Sequence, residues 1–294
     1  NAAEYVGATA DFADIDPETR CLSLETIRTA WRSDIKAVVA VDYGGYPCVT
    51  EEMADFIHRR GALVVEDACH AIGGSRDGYP VGGLPWVDMT AFSFHPVKTL
   101  TTGEGGAVVT GDDKWADSCR LNRNHGMARP PEDAGDEAPP YSMSYPGFNY
   151  RITDLQCALG FSQLRKLNAY VERRREIANG YNQAFFDLPH VQLPPVAKDV
   201  RAAWHLYALR VDFKALGTTR REVMAALESD GIGTQIHYYP VHLQPYYRRR
   251  YPYAPGKCPE AEAWYAQALS LPLFPGLSDG DAGRVMDAVR RVLA

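Results

Sequence analysis

No stretch of this 294-residue sequence approaches the roughly 20 consecutive apolar residues that a bilayer-spanning helix needs. Cysteine is sparse and unpatterned: Cys21, Cys48, Cys69, Cys119, Cys157 and Cys258 stand singly, with no Cys-x-x-Cys. A chain this long buries a core without covalent staples, so reduced thiols are expected rather than a disulfide framework. Neither charge sign dominates: 31 Lys and Arg against 37 Asp and Glu leave a formal charge of −6. That balance gives no broad footprint for nucleic acid or an anionic membrane. The opening Asn1-Ala2-Ala3-Glu4-Tyr5 lacks the basic and apolar regions of a secretory signal. Repeats and low-complexity tracts are missing too. These absences lead to the expectation of a cytoplasmic protein with neither a nucleic-acid nor a membrane partner.

What is present is an ordinary globular balance, 46% hydrophobic and 23% charged, with 25 glycines and 20 prolines that point to many loops. The first half alternates short apolar runs with helical stretches. Strands are expected at 8–15, 35–43, 63–67, 89–95 and 106–110, and helices at 23–31 and 51–60, the latter capped by Thr50 and closed by Gly61. That rhythm predicts an α/β fold with a largely parallel sheet covered on both faces. Residues 131–145 read as an exposed loop. One long helix is expected from Thr153 to about Phe186. Beyond Pro194-Pro195 a smaller α+β unit is expected, with strands at 205–212 and 234–239. Its helices are expected at 220–230, 260–269 and 279–293.

Ligands in open α/β sheets gather at the carboxyl ends of strands. There the sequence places Glu66 and Asp67, then His70, and on the next strand Ser93 and His95, followed by Lys98. Taken alone, Asp67 is a turn former and Lys98 a solvated lysine. Together they suit a cofactor that needs both a covalent amine and a charge partner. Thr101-Thr102-Gly103-Glu104-Gly105-Gly106 is a glycine turn and matches no phosphate-loop pattern. His205, His237 and His242 lack zinc-site spacing, and no metal is expected. The Arg173-Arg174-Arg175 and Arg248-Arg249-Arg250 runs read as solvated clusters. No Gly-x-Ser-x-Gly elbow supports a hydrolase.

Four segments carry a resemblance: 64–74 (VVEDACHAIGG), 91–110 (AFSFHPVKTLTTGEGGAVVT), 147–164 (GFNYRITDLQCALGFSQL) and 231–247 (GIGTQIHYYPVHLQPYY). On these the chain resembles the DegT/DnrJ/EryC1/StrS family of pyridoxal-phosphate sugar aminotransferases. The resemblance implies fold type I, with a mainly parallel seven-stranded sheet in a large domain (1–170) and a small C-terminal α+β domain (171–294). It implies pyridoxal 5′-phosphate as cofactor, with Lys98 as the lysine that links to it and Asp67 as the partner of its ring nitrogen. His70 matches a position that holds the ring, and Ser93 a phosphate ligand. Asn149 matches an asparagine that reaches the phosphate in the other subunit, which makes a homodimer the expected unit. His237, Tyr238 and His242 are expected to meet the substrate. The implied reaction moves an amino group from glutamate to a 4-keto-6-deoxy nucleotide-sugar.

Some relatives carry His in place of the lysine and run dehydration; Lys98 places this chain with the aminotransferases. Family members also carry an earlier segment with a phosphate-binding loop, to which nothing in the first 16 residues corresponds, so a chain lacking its N-terminal part is expected. An inactive or binding-only fragment, and amination of a different nucleotide-sugar such as a GDP-linked one, stay open at this point.

Overall fold

The computed structural model describes residues 1–129 and 139–294. Its main sheet has four strands: β1 (Ala37–Val41), β2 (Leu63–Asp67), β3 (Met89–Ser93) and β4 (Gly106–Val109). The first three run parallel and β4 returns antiparallel to β3, so the sheet is mixed and mainly parallel. Seven strands were implied by the resemblance; four are found in this sheet among the described residues.

The alternation of strand side chains gives the sheet two unlike faces. Ala40, Val64, Glu66 and Thr90 share one face and are buried. That face packs on helices α1 (Leu24–Ala30) and α2 (Glu51–His58), in a cluster with Ile27, Val49, Met53 and Ile57. Ser23 and Thr50 cap these helices by accepting from the backbone N–H of Thr26 and Met53. The opposite face carries Val39, Val41, Asp67, Ser93 and Val108. Val39 is 55% exposed and Val108 51% exposed. A sheet covered on both faces is expected from the apolar runs; among the described residues only one face receives a helix layer.

Downstream lie α3 (Asp113–Asn122), α4 (Asp154–Leu164) and α5 (Leu167–Phe185). The single helix expected from Thr153 is therefore two, separated at Arg165-Lys166. Ala268–Leu271 pairs antiparallel with Tyr207–Val211, which also pairs with Val191–Gln192. This second sheet packs with α5, α6 (Arg220–Ser229) and α8 (Asp279–Leu293) around Tyr181, Leu209, Leu227 and Val289. Helix α7 (Pro259–Gln267) leads directly into the strand Ala268–Leu271, which the sequence reading merged with it.

Two expected strands do not form. Residues 8–15 join no sheet because their polar atoms go to the C-terminal part. Ala10 N donates to Tyr251 Oη, and Asp14 caps α7 by accepting from Glu260 N and Ala261 N. Residues 234–239 make only one bridge, Gln235 to Ser270. Of the loop expected at 131–145, residues 131–138 lie outside the described residues, while Ser142–Met143 pairs with Met127–Ala128. No described helix is long and apolar enough to cross a membrane.

Candidate active site

A cavity of about 1230 Å³ opens beyond the carboxyl end of β3 and runs to the second sheet. Ser93, His95, Lys98, His237 and Tyr238 line it. Lys98 sits on a turn built by hydrogen bonds to Phe94. Phe94 N donates to Gly105 O at 2.8 Å, and Thr101 Oγ1 and Thr102 N both donate to Phe94 O at 3.0 Å. Gly103 (φ +82°) and Gly105 (φ +151°) take backbone conformations that side chains disfavour, which explains the glycines of this turn. Lys98 is half-buried. Burial lowers its pKa, while the neighbouring Cys69 and Asp67 act to raise it.

Asp67 ends β2. Its Oδ1 accepts from Cys69 N at 3.1 Å, and its carbonyl accepts from Asp42 N at 3.1 Å. Its carboxylate is thus a turn former, as its position alone suggests, and also a negative charge acting on Lys98. His70, three residues on, accepts from Gly44 N at Nδ1 (3.3 Å). Its ring lies 4.4 Å from that of His205 and 6.4 Å from Tyr238. Burial, then the charges of Lys98 and His237, push the His70 pKa down to about 3, so the ring is neutral.

His237 is fixed from three sides. Its carbonyl accepts from Tyr43 Oη (2.7 Å) and Trp264 Nε1 (3.2 Å), and its Nδ1 lies 2.8 Å from Ser270 Oγ. Burial and Lys98 lower its pKa. Ser93 is half-buried, and its Oγ accepts from His95 N at 3.4 Å.

Two expected site residues are not brought here. His242 is 2% exposed, bonded to Glu262 at 2.9 Å and set against Phe12, away from the cavity. The pair it makes with Glu262 is a packing feature, and His242 does not line the cavity. Asn149 is exposed on a loop that bridges to Asn124, and it does not line the cavity.

Conversely, two cavity residues escaped the sequence reading. His205 was weighed only as a metal ligand; it is buried, its pKa pushed down mainly by burial and then by His70. Arg174 was read as one of a solvated run, yet it is 4% exposed. Helical spacing carried that signal, because Val171, Arg174, Ile177, Ala178 and Tyr181 fall on one stripe.

The sequence matches the model of the DegT/DnrJ/EryC1/StrS aminotransferase family over residues 1–290. It is 39% identical to the spore coat polysaccharide biosynthesis protein SpsC of Bacillus subtilis, over all of this chain and 76% of that protein. The aminotransferase TlmJ of Streptoalloteichus hindustanus superposes with a TM-score of 0.87 at 30% identity, covering 100% of this chain and 75% of that one. Helicobacter pylori PseC, an aminotransferase involved in pseudaminic acid biosynthesis, superposes with a TM-score of 0.88 at 28% identity, over 99% and 75%. S. venezuelae DesV gives 0.88 at 33% identity, over 99% and 74%. With a match along nearly its whole length, the chain belongs to the DegT/DnrJ/EryC1/StrS aminotransferase family, pyridoxal-phosphate-dependent transaminases of fold type I.

Proposed function

We propose that this aminotransferase moves an amino group from glutamate to a 4-keto-6-deoxy nucleotide-sugar, with UDP as the nucleotide. The reaction of a UDP-4-amino-4,6-dideoxy-N-acetyl-β-L-altrosamine transaminase, in pseudaminic acid synthesis, is the specific assignment. The observation that carries the reading is Lys98 in the cavity wall, within electrostatic reach of Asp67 at the end of β2. Similarity to PseC supports the choice of sugar.

The residues present fit pyridoxal phosphate. Lys98 offers an amine whose charged form is disfavoured by burial, as covalent attachment requires. When bound, the cofactor supplies a conjugated ring that takes up electrons released at the substrate carbon. Asp67 holds a negative charge where it favours a protonated ring nitrogen. His70, a neutral ring beside the cavity residues His205 and Tyr238, holds the cofactor ring in place. Ser93 donates to the phosphate. Once released from attachment, Lys98 moves a proton at its Nζ to and from the substrate carbon. His237 and Tyr238 line the sugar side. Asn149, exposed and outside this cavity, serves the phosphate of the partner subunit in a homodimer. The large domain takes residues 1–170 and the small domain 171–294. The separate core around α5 and the second sheet supports that division.

Lys98→Ala tests the assignment. The variant, given pyridoxal phosphate, is expected to lose the cofactor's bound-state absorbance and all borohydride trapping. A retained reducible linkage in the folded variant overturns it. A panel of UDP-, GDP- and dTDP-linked keto-sugars, assayed with glutamate, tests the acceptor.

A further inference from the structure

The strand Ala268–Leu271 runs out of the second sheet into residues 272–277, and Pro272, Leu273, Phe274, Pro275 and Gly276 line the cavity. This loop is held along its length. The Pro272 carbonyl accepts from Tyr181 Oη (2.9 Å), the Leu273 carbonyl from Arg174 Nη1 (2.7 Å) and the Leu277 carbonyl from Arg173 Nη2 (2.7 Å). Leu277 N closes a turn on the Phe274 carbonyl at 3.0 Å. Leu273 and Leu277 are buried in the core around the second sheet, and Pro272 and Pro275 fix their own φ angles.

Between those anchors Phe274 is 47% exposed. Single exposed apolar side chains are ordinary on a protein surface. This one stands on a fixed loop in a cavity wall, so a ligand that covers it gains apolar burial at little cost in ordering. The other rings of the wall are engaged: Tyr238 lies 4.6 Å from His237 and 6.4 Å from His70. No ring is stacked on Phe274 among the described residues. Phenylalanine has no polar atom to offer, so it rewards a flat, weakly hydrated group over hydroxyls or phosphates. At about 1230 Å³ the cavity also exceeds the roughly 300–1,000 Å³ of a pocket for one small ligand. Space remains for a nucleotide beside a cofactor at Lys98.

We propose that Phe274 is a stacking platform for the nucleobase of the nucleotide-sugar. This rests on the nucleotide-sugar reading above and names where the base is held. Every base has a π-face and Phe274 has no hydrogen-bonding group, so the platform supplies affinity without choosing among bases.

Calorimetry with UDP, and with inorganic pyrophosphate as the probe that lacks a base, tests the platform without turnover. Phe274→Ala is expected to weaken UDP about tenfold or more, the scale of losing one base–aromatic stack. Pyrophosphate is expected to stay within about threefold, since a half-exposed substitution disturbs little beyond its own contact. Phe274→Tyr, which keeps the ring face, is expected to hold UDP within about threefold of the wild type. Unchanged UDP affinity in Phe274→Ala overturns the proposal. So does an equal loss for pyrophosphate, which makes Phe274 a support for the diphosphate wall. A wild-type protein that binds UDP no better than pyrophosphate overturns it as well.

A crystal structure of the wild-type UDP complex needs no variant and is expected to show uracil lying on the Phe274 ring; uracil seated elsewhere in the cavity overturns the proposal. The functional reading fails separately. If the wild type moves no amino group from glutamate to any keto-sugar, the assignment of the reaction falls while UDP still decides the role of Phe274.

Discussion

Glu66 and Asp67 are adjacent carboxylates on one strand, and they live on opposite faces of the sheet. Asp67 lies on the face opposite the helix-covered core, within electrostatic reach of Lys98. Glu66 looks into the helix-covered face, fully buried, with Oε2 accepting from Thr90 Oγ1 at 2.8 Å. Asp42 shares that covered face, diagonal to Glu66 across β1 and β2, and accepts from Cys48 N at 2.8 Å. Burial raises the pKa of both acids, and the Glu66 charge raises that of Asp42 further. One face thus sets its carboxylate near a lysine, and the other keeps its carboxyls inside a core where burial disfavours their charge. The lesson is that a one-residue step along a strand changes both the surroundings and the partner of a carboxylate.

Exchanging the two acids for their amides breaks or sharpens this comparison most directly. Asp67→Asn is expected to cut amino transfer by about 100-fold or more, the scale of losing one preorganised charge at a reacting centre. Glu66→Gln is expected to leave turnover within about fivefold, because an amide keeps the bond to Thr90 without entering the cavity. Steady-state rates on both variants check this, and equal losses would erase the distinction between the faces.

The pH dependence of melting is the next largest effect, and the two faces contribute with opposite signs. Asp42 and Glu66 have raised folded-state values, so the native state binds more protons than the unfolded chain above their ordinary 3.8 and 4.5. Their contribution is full at lower pH and is lost as pH rises through the raised values. His70 and His205 are depressed from 6.5, His70 to about 3 and His205 to about 2. Their contribution is present above pH 6.5 and is lost as pH falls through that window. Each unit of displacement is worth about 1.4 kcal/mol. Glu66→Gln is expected to flatten the loss of stability on the alkaline side, and His205→Phe the loss on the acid side. Thermal melts from pH 3 to 9 measure both.

Smaller still is the contrast in packing. Val64→Ala, at a fully buried position, is expected to cost about 1–2 kcal/mol in urea unfolding. Val39→Ala, 55% exposed on the other face, is expected to stay within about 0.5 kcal/mol.

Much of this was legible in the residues themselves. The run LVVED forms β2 with the expected bounds, and the glycine turn after Lys98 follows from what glycine alone permits. Asp67 and Lys98 lie within electrostatic reach because parallel strands send their carboxyl ends to one edge. Other features depended on partners distant in the chain. Residues 8–15 alternate as a strand does, but tyrosine hydroxyls near the far end take their polar atoms. His242 looked like a site residue until Glu262 appeared beside it. Arg174 was hidden by the two arginines beside it, although its place on the apolar stripe of α5 marked it.

The anchoring of His237 bears on how the protein reaches its working form. The bond from Tyr43 Oη to the His237 carbonyl joins positions 194 residues apart, and the Trp264 bond to the same oxygen joins another 27. Contacts of such long separation bear a closure cost before they return any gain, so they form late. Helices α1, α2 and α5 need only near neighbours to begin. The cavity wall at His237 needs both ends of the chain to have arrived. On dilution from denaturant, helical signal is expected to return ahead of cofactor capture, making the cavity the last part of the molecule to be assembled.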